Sequence, residues 1–469
     1  MAKKTDTVFV CQECGYESPR WMGKCICGAW NSFVEEKVHK ETENASRGRR
    51  APSAGLAAAA ASPVRASEIH PDKAGRIDTG IGELNRVLGG GLVKGSLVMI
   101  SGEPGIGKST LIIQAAAHIS QTVGTVLYVS GEESGEQIKM RADRVCRGPL
   151  DDLYLLAENE MGSVLEAIDR LDPKFLIVDS IQTMYSGEFE SAPGSVSQVR
   201  AVGNILMNIG KGRGIPVFIV AHVTKSGELA GPRIVEHMVD AVLQFNGERN
   251  QDLRILRSVK NRFGTTSEIG AFEMREEGLA EIENLSGSFL EGLDDSSEGA
   301  VATAVYEGTR PLLLEIQALT AATNIGFARR TAIGINANRL SMIIAVLEKK
   351  SGLTLINRDV YVNIVGGLHP EGTTTDLAVA VAVWSAEKGV KISPKTLYIG
   401  EIGLTGDLRP VMNAEKLVRE AARLGFDRVV LPKRSSDRLQ NIPGNIKLLP
   451  VTSLADAIST ASSQTPHKS

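Results

Sequence analysis

The sequence predicts an α/β protein with a small metal-bound head, a phosphate-binding domain and a second α/β domain. Three observations lead to this fold class. Four cysteines lie within residues 11–27, a glycine-rich loop at 102–109 joins an apolar run to a helical pattern, and strand-like and helix-like segments alternate before and after residue 299. At 469 residues the chain is long enough for two or three domains that each bury a core.

Charge and composition exclude several functional classes. The formal net charge is −3 and the pI is near 6.2, so any contact with nucleic acid must come from local basic patches. The sequence has no run of about 18 apolar residues that could span a membrane, and it shows no apolar signal core before the first cysteine. We therefore expect a cytoplasmic protein without a membrane partner.

The crowded cysteines predict a zinc finger over residues 1–34. Cys11 with Cys14, and Cys25 with Cys27, form two pairs that each precede a glycine and can present four thiolates to one Zn²⁺. A segment this short cannot form its own core, so metal binding would supply its folding energy. The second pair encloses one residue where a zinc ribbon normally has two, which predicts a tighter turn with poorer geometry. Free or redox-active thiols are the alternative.

Two further features of the sequence have simpler interpretations. Residues 35–70 are predicted to be a linker, because the segment is rich in Lys, Arg, Ser and Ala and its apolar residues show no helical or strand periodicity. Part of the segment is basic, so an arm that touches nucleic acid is the alternative. Cys146 stands alone in a predicted helix, where we expect a small core residue.

The glycine-rich loop is the most specific motif in the chain. It consists of Gly102, Glu103, Pro104, Gly105, Ile106, Gly107, Lys108 and Ser109, with Thr110 after it, and it matches G-x-x-x-x-G-K-[ST] without a mismatch. The glycines let backbone N–H groups turn toward a triphosphate at the positive end of the next helix. We expect Lys108 to reach the β- and γ-phosphates of ATP and the Ser109 hydroxyl to ligate Mg²⁺. A glycine-rich turn without a nucleotide is the alternative.

The ends of three later strands predict the rest of a nucleotide site. The apolar run at 175–178 ends in Asp179, which is the Walker B pattern whose carboxylate holds Mg²⁺. A strand at 125–130 precedes Glu132 and Glu133, and a strand at 216–222 ends in His222.

Because parallel strands bind ligands at their carboxyl ends, we expect Lys108, Glu132, Asp179 and His222 to converge. Either Glu132 or Glu133 is the candidate base for the attacking water, and His222 could sense the γ-phosphate. The alternatives are a capping role for Asp179 and a merely hydrogen-bonded His222.

The segment Lys260–Gly264 carries a signal that composition does not explain. By composition it is only a basic turn after a strand-like run at 254–259. Together with the four-cysteine head, the phosphate loop and the C-terminal pattern, however, this Lys-Asn-Arg-Phe-Gly segment closely resembles the bacterial RadA (Sms) family of DNA-repair ATPases, over nearly the whole chain.

The resemblance implies a definite architecture. It implies a four-cysteine zinc finger at 1–34, a linker at 35–70, a RecA-like P-loop ATPase core at 71–285 that is close to DnaB-type helicases, and a Lon-protease-like α/β domain at 286–469. It also implies a hexameric ring on single-stranded DNA that drives branch migration of recombination intermediates alongside a RecA-type recombinase.

The resemblance also implies roles for single residues. Lys108 and Ser109 are the Walker A pair, Asp179 is Walker B, and Glu132 falls where DnaB-type helicases keep their catalytic glutamate. Lys260 and Arg262 belong to the family's own signature. In RecA-like rings, paired basic residues at this place face the adjacent protomer, so we expect both to complete the neighbour's ATP site. The alternative is that they bind only DNA phosphates.

The C-terminal domain resembles the Lon proteolytic domain without its catalytic pair. The segments at 371–375 and 403–410 resemble Lon landmarks, but Thr374 holds the serine position and Glu415 the lysine position. A lysine with an easily depressed pKa is what this dyad chemistry uses. We therefore expect the fold to be retained and proteolysis to be lost. Residues 396–402 are predicted to form one strand.

These observations leave three hypotheses for function. The first is a DNA-dependent ATPase motor, a ring helicase of the RecA and DnaB kind. The second is a nucleotide-switched DNA-binding scaffold that loads or regulates a recombinase with little unwinding. The third, an ATP-dependent protease, is disfavoured by Thr374 and Glu415.

Overall fold

The structure of the protein is a computed structural model. It describes residues 6–11, 16–38, 65, 75–222, 234–247, 252–282, 284–294, 297–323, 328–370 and 372–463. Cys14 and most of the predicted linker lie outside the described residues.

The head is a small antiparallel sheet of three strands. They are β1 (Asp6–Cys11), β2 (Glu17–Ser18) and β3 (Phe33–Val38), in the order β2-β1-β3. Its apolar centre consists of Cys11, Cys25 and Phe33. So small a core is typical of a module that depends on a metal.

A large sheet with helices on both faces follows the head. Its elements are α1 (Gly82–Val87), β4 (Leu97–Gly102), α2 (Lys108–Thr122), β5 (Val126–Ser130), α3 (Gly135–Val145), β6 (Leu153–Ala157), α4 (Met161–Leu171), β7 (Phe175–Asp179), α5 (Val196–Arg213), β8 (Val217–His222), α6 (Ile234–Met238), β9 (Ala241–Asn246), β10 (Leu253–Asn261), β11 (Ile269–Arg275) and β12 (Gly278–Glu281). The strand order is β12-β11-β10-β9-β4-β8-β7-β5-β6.

Six neighbouring strands of this sheet, β9-β4-β8-β7-β5-β6, run parallel to one another. The strand before the phosphate loop, β4, lies between β9 and β8. Every residue of β4, β5 and β7 is buried, because alternate side chains face helices on opposite sides of the sheet. This explains why these strands appear in the sequence as continuous apolar runs. It also confirms the predicted RecA-like P-loop core.

Local sequence signals fix the ends of several helices. Ser134 caps α3 by accepting a hydrogen bond from the Gln137 amide, and the Gln137 side chain accepts one from the Ser134 amide. Ser195 caps α5 in the same position, and Gly214 ends that helix with φ +71°. Helix α2 begins at Lys108, inside the glycine-rich loop motif at 102–109.

A second sheet occupies the C-terminal part. Its elements are α7 (Leu285–Leu290), β13 (Ala300–Glu307), β14 (Arg310–Ala322), β15 (Arg330–Ile333), α8 (Ala337–Ser351), β16 (Arg358–Ile364), α9 (Asp376–Lys388), β17 (Thr396–Tyr398), β18 (Glu401–Ile402), β19 (Leu408–Arg409), α10 (Ala414–Arg423), β20 (Arg428–Pro432), α11 (Lys433–Ser436), β21 (Lys447–Val451) and α12 (Leu454–Ser463). Seven strands form one mixed sheet in the order β15-β16-β14-β13-β17-β20-β21. Helix α9 is buried along most of its length, as its apolar sequence requires.

Two expectations about local structure are wrong. Residues 396–402 form two strands in different sheets, because the chain at Gly400 leaves the large sheet. Its amide donates to the Thr374 carbonyl and its carbonyl accepts from the Leu377 amide. Cys146 is not a core residue within a helix: it follows α3 in an extended conformation and is only half-buried.

The chain divides into two compact units. The first contains residues 1–246, 254–266 and 274–280, and the second contains 247–253, 267–273 and 281–469. None of the helices in the described part of the chain has both the length and the apolar character that a membrane crossing requires.

Candidate active site

The phosphate loop connects the end of β4 to the start of α2, and its backbone suits an anion. Gly105 has φ +80° and Gly107, the residue that precedes α2, has φ +113°. A Cβ on Gly107 would lie 2.7 Å from the Met274 Cε. No side chain caps the first turn of this 15-residue helix, so its amides are available to a phosphate group at the positive end of the helix.

Lys108 is buried in the wall of the loop, with 3% of its surface exposed. Its ammonium group donates to the carbonyls of Gly102 (2.9 Å) and Glu103 (3.0 Å), and to Nδ1 of His222 (3.2 Å). Burial lowers the pKa of Lys108 to about 8, against the opposing attraction of the Asp179 and Glu132 carboxylates. The loop therefore holds a desolvated cation whose charge an anionic ligand would stabilise.

Glu132 and His222 meet beside this cation. Because the Lys108 ammonium donates to Nδ1 of His222, the imidazole proton belongs on Nε2. Nε2 lies 3.3 Å from Oε1 of Glu132 but forms no hydrogen bond with it. The Ser180 hydroxyl also donates to Oε1 of Glu132. The structure thus brings Lys108, Glu132 and His222 together, as the strand ends predict.

Asp179 is held by a tyrosine that the sequence reasoning missed. Tyr128, in the middle of β5, is fully buried, and its hydroxyl donates to Oδ2 of Asp179 at 2.6 Å. Burial raises the pKa of Tyr128 well above its usual value, and the Asp179 charge raises it further, so the phenol stays a donor. One carboxylate oxygen of Asp179 is thereby fixed.

The side chains of the two adjacent glutamates, Glu132 and Glu133, make different contacts. Glu133 points to helix α3, where the Arg141 guanidinium donates to its Oε1 in an ion pair. Burial lowers the pKa of Arg141, but the Glu133 hydrogen bond and charge outweigh this and raise it overall. Glu132 instead faces Lys108 and His222. Geometry therefore places Glu132, and not Glu133, beside the phosphate loop.

The segment Lys260–Gly264 lies at the opposite end of the parallel strands from the phosphate loop. Lys260 and Asn261 are the last residues of β10, so the interpretation of the whole segment as a turn is wrong. Asn261 pairs with Ala241, which in turn pairs with Val98 near the start of β4, whereas Gly102 pairs with Phe245. Four residues of strand separate the two levels, a distance of about 13 Å.

Internal contacts hold this segment in place. The Lys260 ammonium donates to the carbonyls of Glu236 (2.7 Å) and His237 (3.3 Å) near the end of α6. Burial, followed by the nearby Arg262 charge, lowers the pKa of Lys260. Arg262 lies 3.4 Å from Oδ1 of the buried Asp240, and its side chain is 60% exposed. The structure does not bring Lys260 or Arg262 to the phosphate loop of their own chain.

The cysteine head has the geometry of a metal centre. The Sγ atoms of Cys11, Cys25 and Cys27 all lie within 4.8 Å of one another, and those of Cys11 and Cys27 are 3.9 Å apart. Two sulfurs bound to one tetrahedral Zn²⁺ at about 2.3 Å lie about 3.8 Å apart, so these thiols fit the ion. Gly28, with φ +96°, closes the turn after Cys27. The tight Cys-x-Cys turn therefore still directs both sulfurs to one point.

Thr374 and Glu415, which hold the two positions of the protease pair, do not form a pair in the structure. Glu415 forms an ion pair with Arg419 on its own helix. Within the described residues, no hydrogen bond connects Thr374 to Glu415. The neighbouring Thr373 hydroxyl donates to Glu401 instead, at 2.7 Å.

Sequence reasoning missed Tyr128, Arg141, Ser180 and Asp240. Ser180 directly follows the Walker B aspartate, a position that could have been examined. Tyr128 looks like any core aromatic residue, and Arg141 and Asp240 look like ordinary charges on a helix and in a loop. Only the folded chain shows that all four contact predicted site residues or their neighbours.

Comparisons with known proteins give matches in the head, in the phosphate-binding domain and in the C-terminal domain. Three family models match, described as "Rubredoxin metal binding domain" (residues 9–35), "AAA domain" (63–228) and "Subunit ChlI of Mg-chelatase" (317–435). The chain is 49% identical over 460 residues to a protein of Bacillus subtilis (strain 168) named DNA repair protein RadA, with 98% of this chain and 99% of that protein covered.

Proteins of the same name in other bacteria are similar to the same extent. That of Halalkalibacterium halodurans is 48% identical over 460 residues, and that of Listeria monocytogenes serovar 1/2a is 47% identical over 464 residues. In both cases 98% of this chain and 99% of the relative are covered.

Proposed function

The chain belongs to the RadA family of DNA repair proteins, and we propose that it is an ATP-driven, ring-forming DNA helicase that acts on single-stranded DNA and drives branch migration of recombination intermediates. Membership of the family supports a role in recombination and repair. The motor activity, the ring and its hexameric form are our proposals. So is the partnership with a RecA-type recombinase.

The nucleotide chemistry follows from the residues around the phosphate loop. The phosphates of ATP would be held by the loop residues 102–110, through their backbone N–H groups (Pro104 has none), and by the Lys108 ammonium, while Ser109 and Asp179 would hold Mg²⁺. When bound, ATP and Mg²⁺ supply an activated γ-phosphoryl group. Glu132 would orient the attacking water and take its proton, because its carboxylate lies beside Lys108 and His222. His222 accepts a hydrogen bond from the Lys108 ammonium and lies 3.3 Å from Glu132, so it would report whether the γ-phosphate is present.

The position of the signature is the observation that carries the proposal. Along the sheet, Lys260 lies about 10 Å and Asn261 about 13 Å from the level of their own phosphate loop, and Arg262 follows Asn261. No arginine among the described residues hydrogen-bonds to Glu132 or His222. A second copy in a head-to-tail ring would bring Arg262 to the nucleotide, where such a residue accelerates hydrolysis by about 10³–10⁵. Hydrolysis would then depend on the relative position of two subunits.

The other parts of the chain would serve this motor. The head would bind one Zn²⁺ through Cys11, Cys14, Cys25 and Cys27 and act as an interaction module, since four thiolates leave no open coordination site. Aromatic residues, on which bases stack, make up only 4% of the chain, so contacts from Lys and Arg to phosphates would dominate DNA binding. Such contacts are electrostatic and independent of sequence. The C-terminal domain would contribute to the ring without proteolysis.

Mixing two inactive chains tests the shared site. We expect Lys108→Ala and Arg262→Ala each to abolish hydrolysis, the first by removing the phosphate contact and the second by removing the contact across the interface. Mixed rings contain some interfaces with both halves intact, so DNA-stimulated ATP hydrolysis should partly return. If co-purification of two differently tagged variants shows that mixed rings form at every ratio, and hydrolysis stays absent, the shared site is refuted.

A strand-displacement assay separates the motor from a nucleotide-switched scaffold. The motor requires displacement of a labelled strand that depends on ATP and on Lys108. A scaffold would bind DNA in an ATP-dependent way without displacing the strand.

A further inference from the structure

We propose that Lys211 is a positioning residue that keeps Arg262 available to the neighbouring subunit by neutralising the buried Asp240 carboxylate. The inference rests on the proposed function, because it assumes that Arg262 acts across a subunit boundary. It adds a residue on helix α5 that neither the motifs nor the resemblance single out.

Asp240 lies at the amino end of β9, with its side chain only 4% exposed. Oδ2 accepts from the Leu97 amide (3.0 Å) and from the Lys211 ammonium (2.6 Å). Oδ1 faces Nη1 of Arg262 at 3.4 Å, and the Arg262 amide donates to the Asp240 carbonyl at 3.0 Å. One buried carboxylate therefore faces two cations and one backbone amide.

The two cations are not held equally. Lys211 makes the short, charge-assisted hydrogen bond, whereas the Arg262 contact is long for a hydrogen bond. Both side chains are more than half exposed, at 52% for Lys211 and 60% for Arg262. Arg262 can therefore turn away to a phosphate while Asp240 keeps Lys211 and the Leu97 amide. Without Lys211, Arg262 would be the only cation among the described residues within hydrogen-bonding distance of this carboxylate, while the Lys260 charge would still act on it from farther away.

This arrangement predicts opposite effects from removing the two partners of one salt bridge. Lys211→Met leaves a buried carboxylate that draws Arg262 inward, so kcat for DNA-stimulated ATP hydrolysis should fall about tenfold with KM for ATP unchanged. Asp240→Asn keeps the shape and the Leu97 contact but removes the charge that holds Arg262, so kcat should equal or exceed that of the unaltered protein. In the double variant there is no charge to capture Arg262, and kcat should return to the Asp240→Asn value.

A matched control and a stability measurement exclude simpler explanations. Arg213→Met removes a cation two residues away on the same helix end, where it pairs with Asp169 and not with Asp240, and it should leave kcat unchanged. Thermal unfolding of each variant shows whether a fall in kcat is a loss of folded protein.

Three results would overturn the inference: a Lys211→Met variant with an unaltered kcat, a double variant as slow as Lys211→Met, or losses of kcat that follow losses of stability in every variant. An Arg262→Ala variant in the same assay tests the premise separately. Normal hydrolysis by that variant refutes the role of Arg262 across the interface, whereas loss of hydrolysis there with an unaltered Lys211→Met refutes only the role of Lys211.

Discussion

Replacing each of the two adjacent glutamates by glutamine tests the assignment of the catalytic base. Glu132→Gln keeps the shape and an acceptor for the Ser180 hydroxyl but removes the negative charge 3.3 Å from His222. A positioned base contributes about 10²–10⁴ in rate, or roughly 3–5 kcal/mol of transition-state stabilisation, so kcat should fall by that factor. Binding of ATP should persist, because Lys108 and the loop amides are unchanged.

Glu133→Gln should have a different consequence. Its partner Arg141 is half-buried, and the ion pair becomes a weaker hydrogen bond between a cation and an amide. Because a third of the Glu133 side chain is exposed to solvent, we expect a loss of only about 1 kcal/mol in stability and at most a few-fold change in kcat.

Single-turnover hydrolysis with excess protein measures the chemical step, and binding of a fluorescent ATP analogue measures affinity. Thermal unfolding of both variants checks that each is folded. If Glu133→Gln abolishes the chemical step while Glu132→Gln retains it, the assignment drawn from the contacts of the two side chains is wrong.

Three further predictions concern other groups. Tyr128→Phe, which removes the donor to Asp179, should lower the free energy of unfolding by about 1–3 kcal/mol, whereas Tyr154→Phe at an exposed position should not; equal effects would show that the buried hydrogen bond is unimportant. Burial, followed by the Asp143 charge, raises the pKa of Cys146 to about 11, so its alkylation by iodoacetamide should accelerate about tenfold per pH unit between about pH 8 and 10, and a rate that levels off near pH 8 would contradict this. Elemental analysis of the purified protein should find about one zinc per chain, and Cys27→Ser should reduce it; an unchanged zinc content in that variant would exclude Cys27 as a ligand.

Several elements were predictable because their signals are contiguous. The phosphate loop and the Walker B strand follow from residues that are neighbours in the chain. Continuous apolar strands followed by polar residues also predicted that Lys108, Glu132 and His222 would meet, since parallel strands end at one edge of a sheet. The strand predicted at 396–402 failed because its break depends on hydrogen bonds from Gly400 to a distant helix, which local propensity does not contain.

The sequence alone determined which chemistry this protein can perform, because the groups that define it are encoded as short motifs: four thiolates, a phosphate loop with Lys108 and an aspartate that ends a buried strand. Only the tertiary structure decided how these groups are arranged. It placed Glu132 beside His222, turned Glu133 toward Arg141, and put Arg262 at the edge of the sheet far from its own phosphate loop. The physical reason is that side-chain pairing across a sheet depends on strand order and register, which bring together residues that are far apart in the chain.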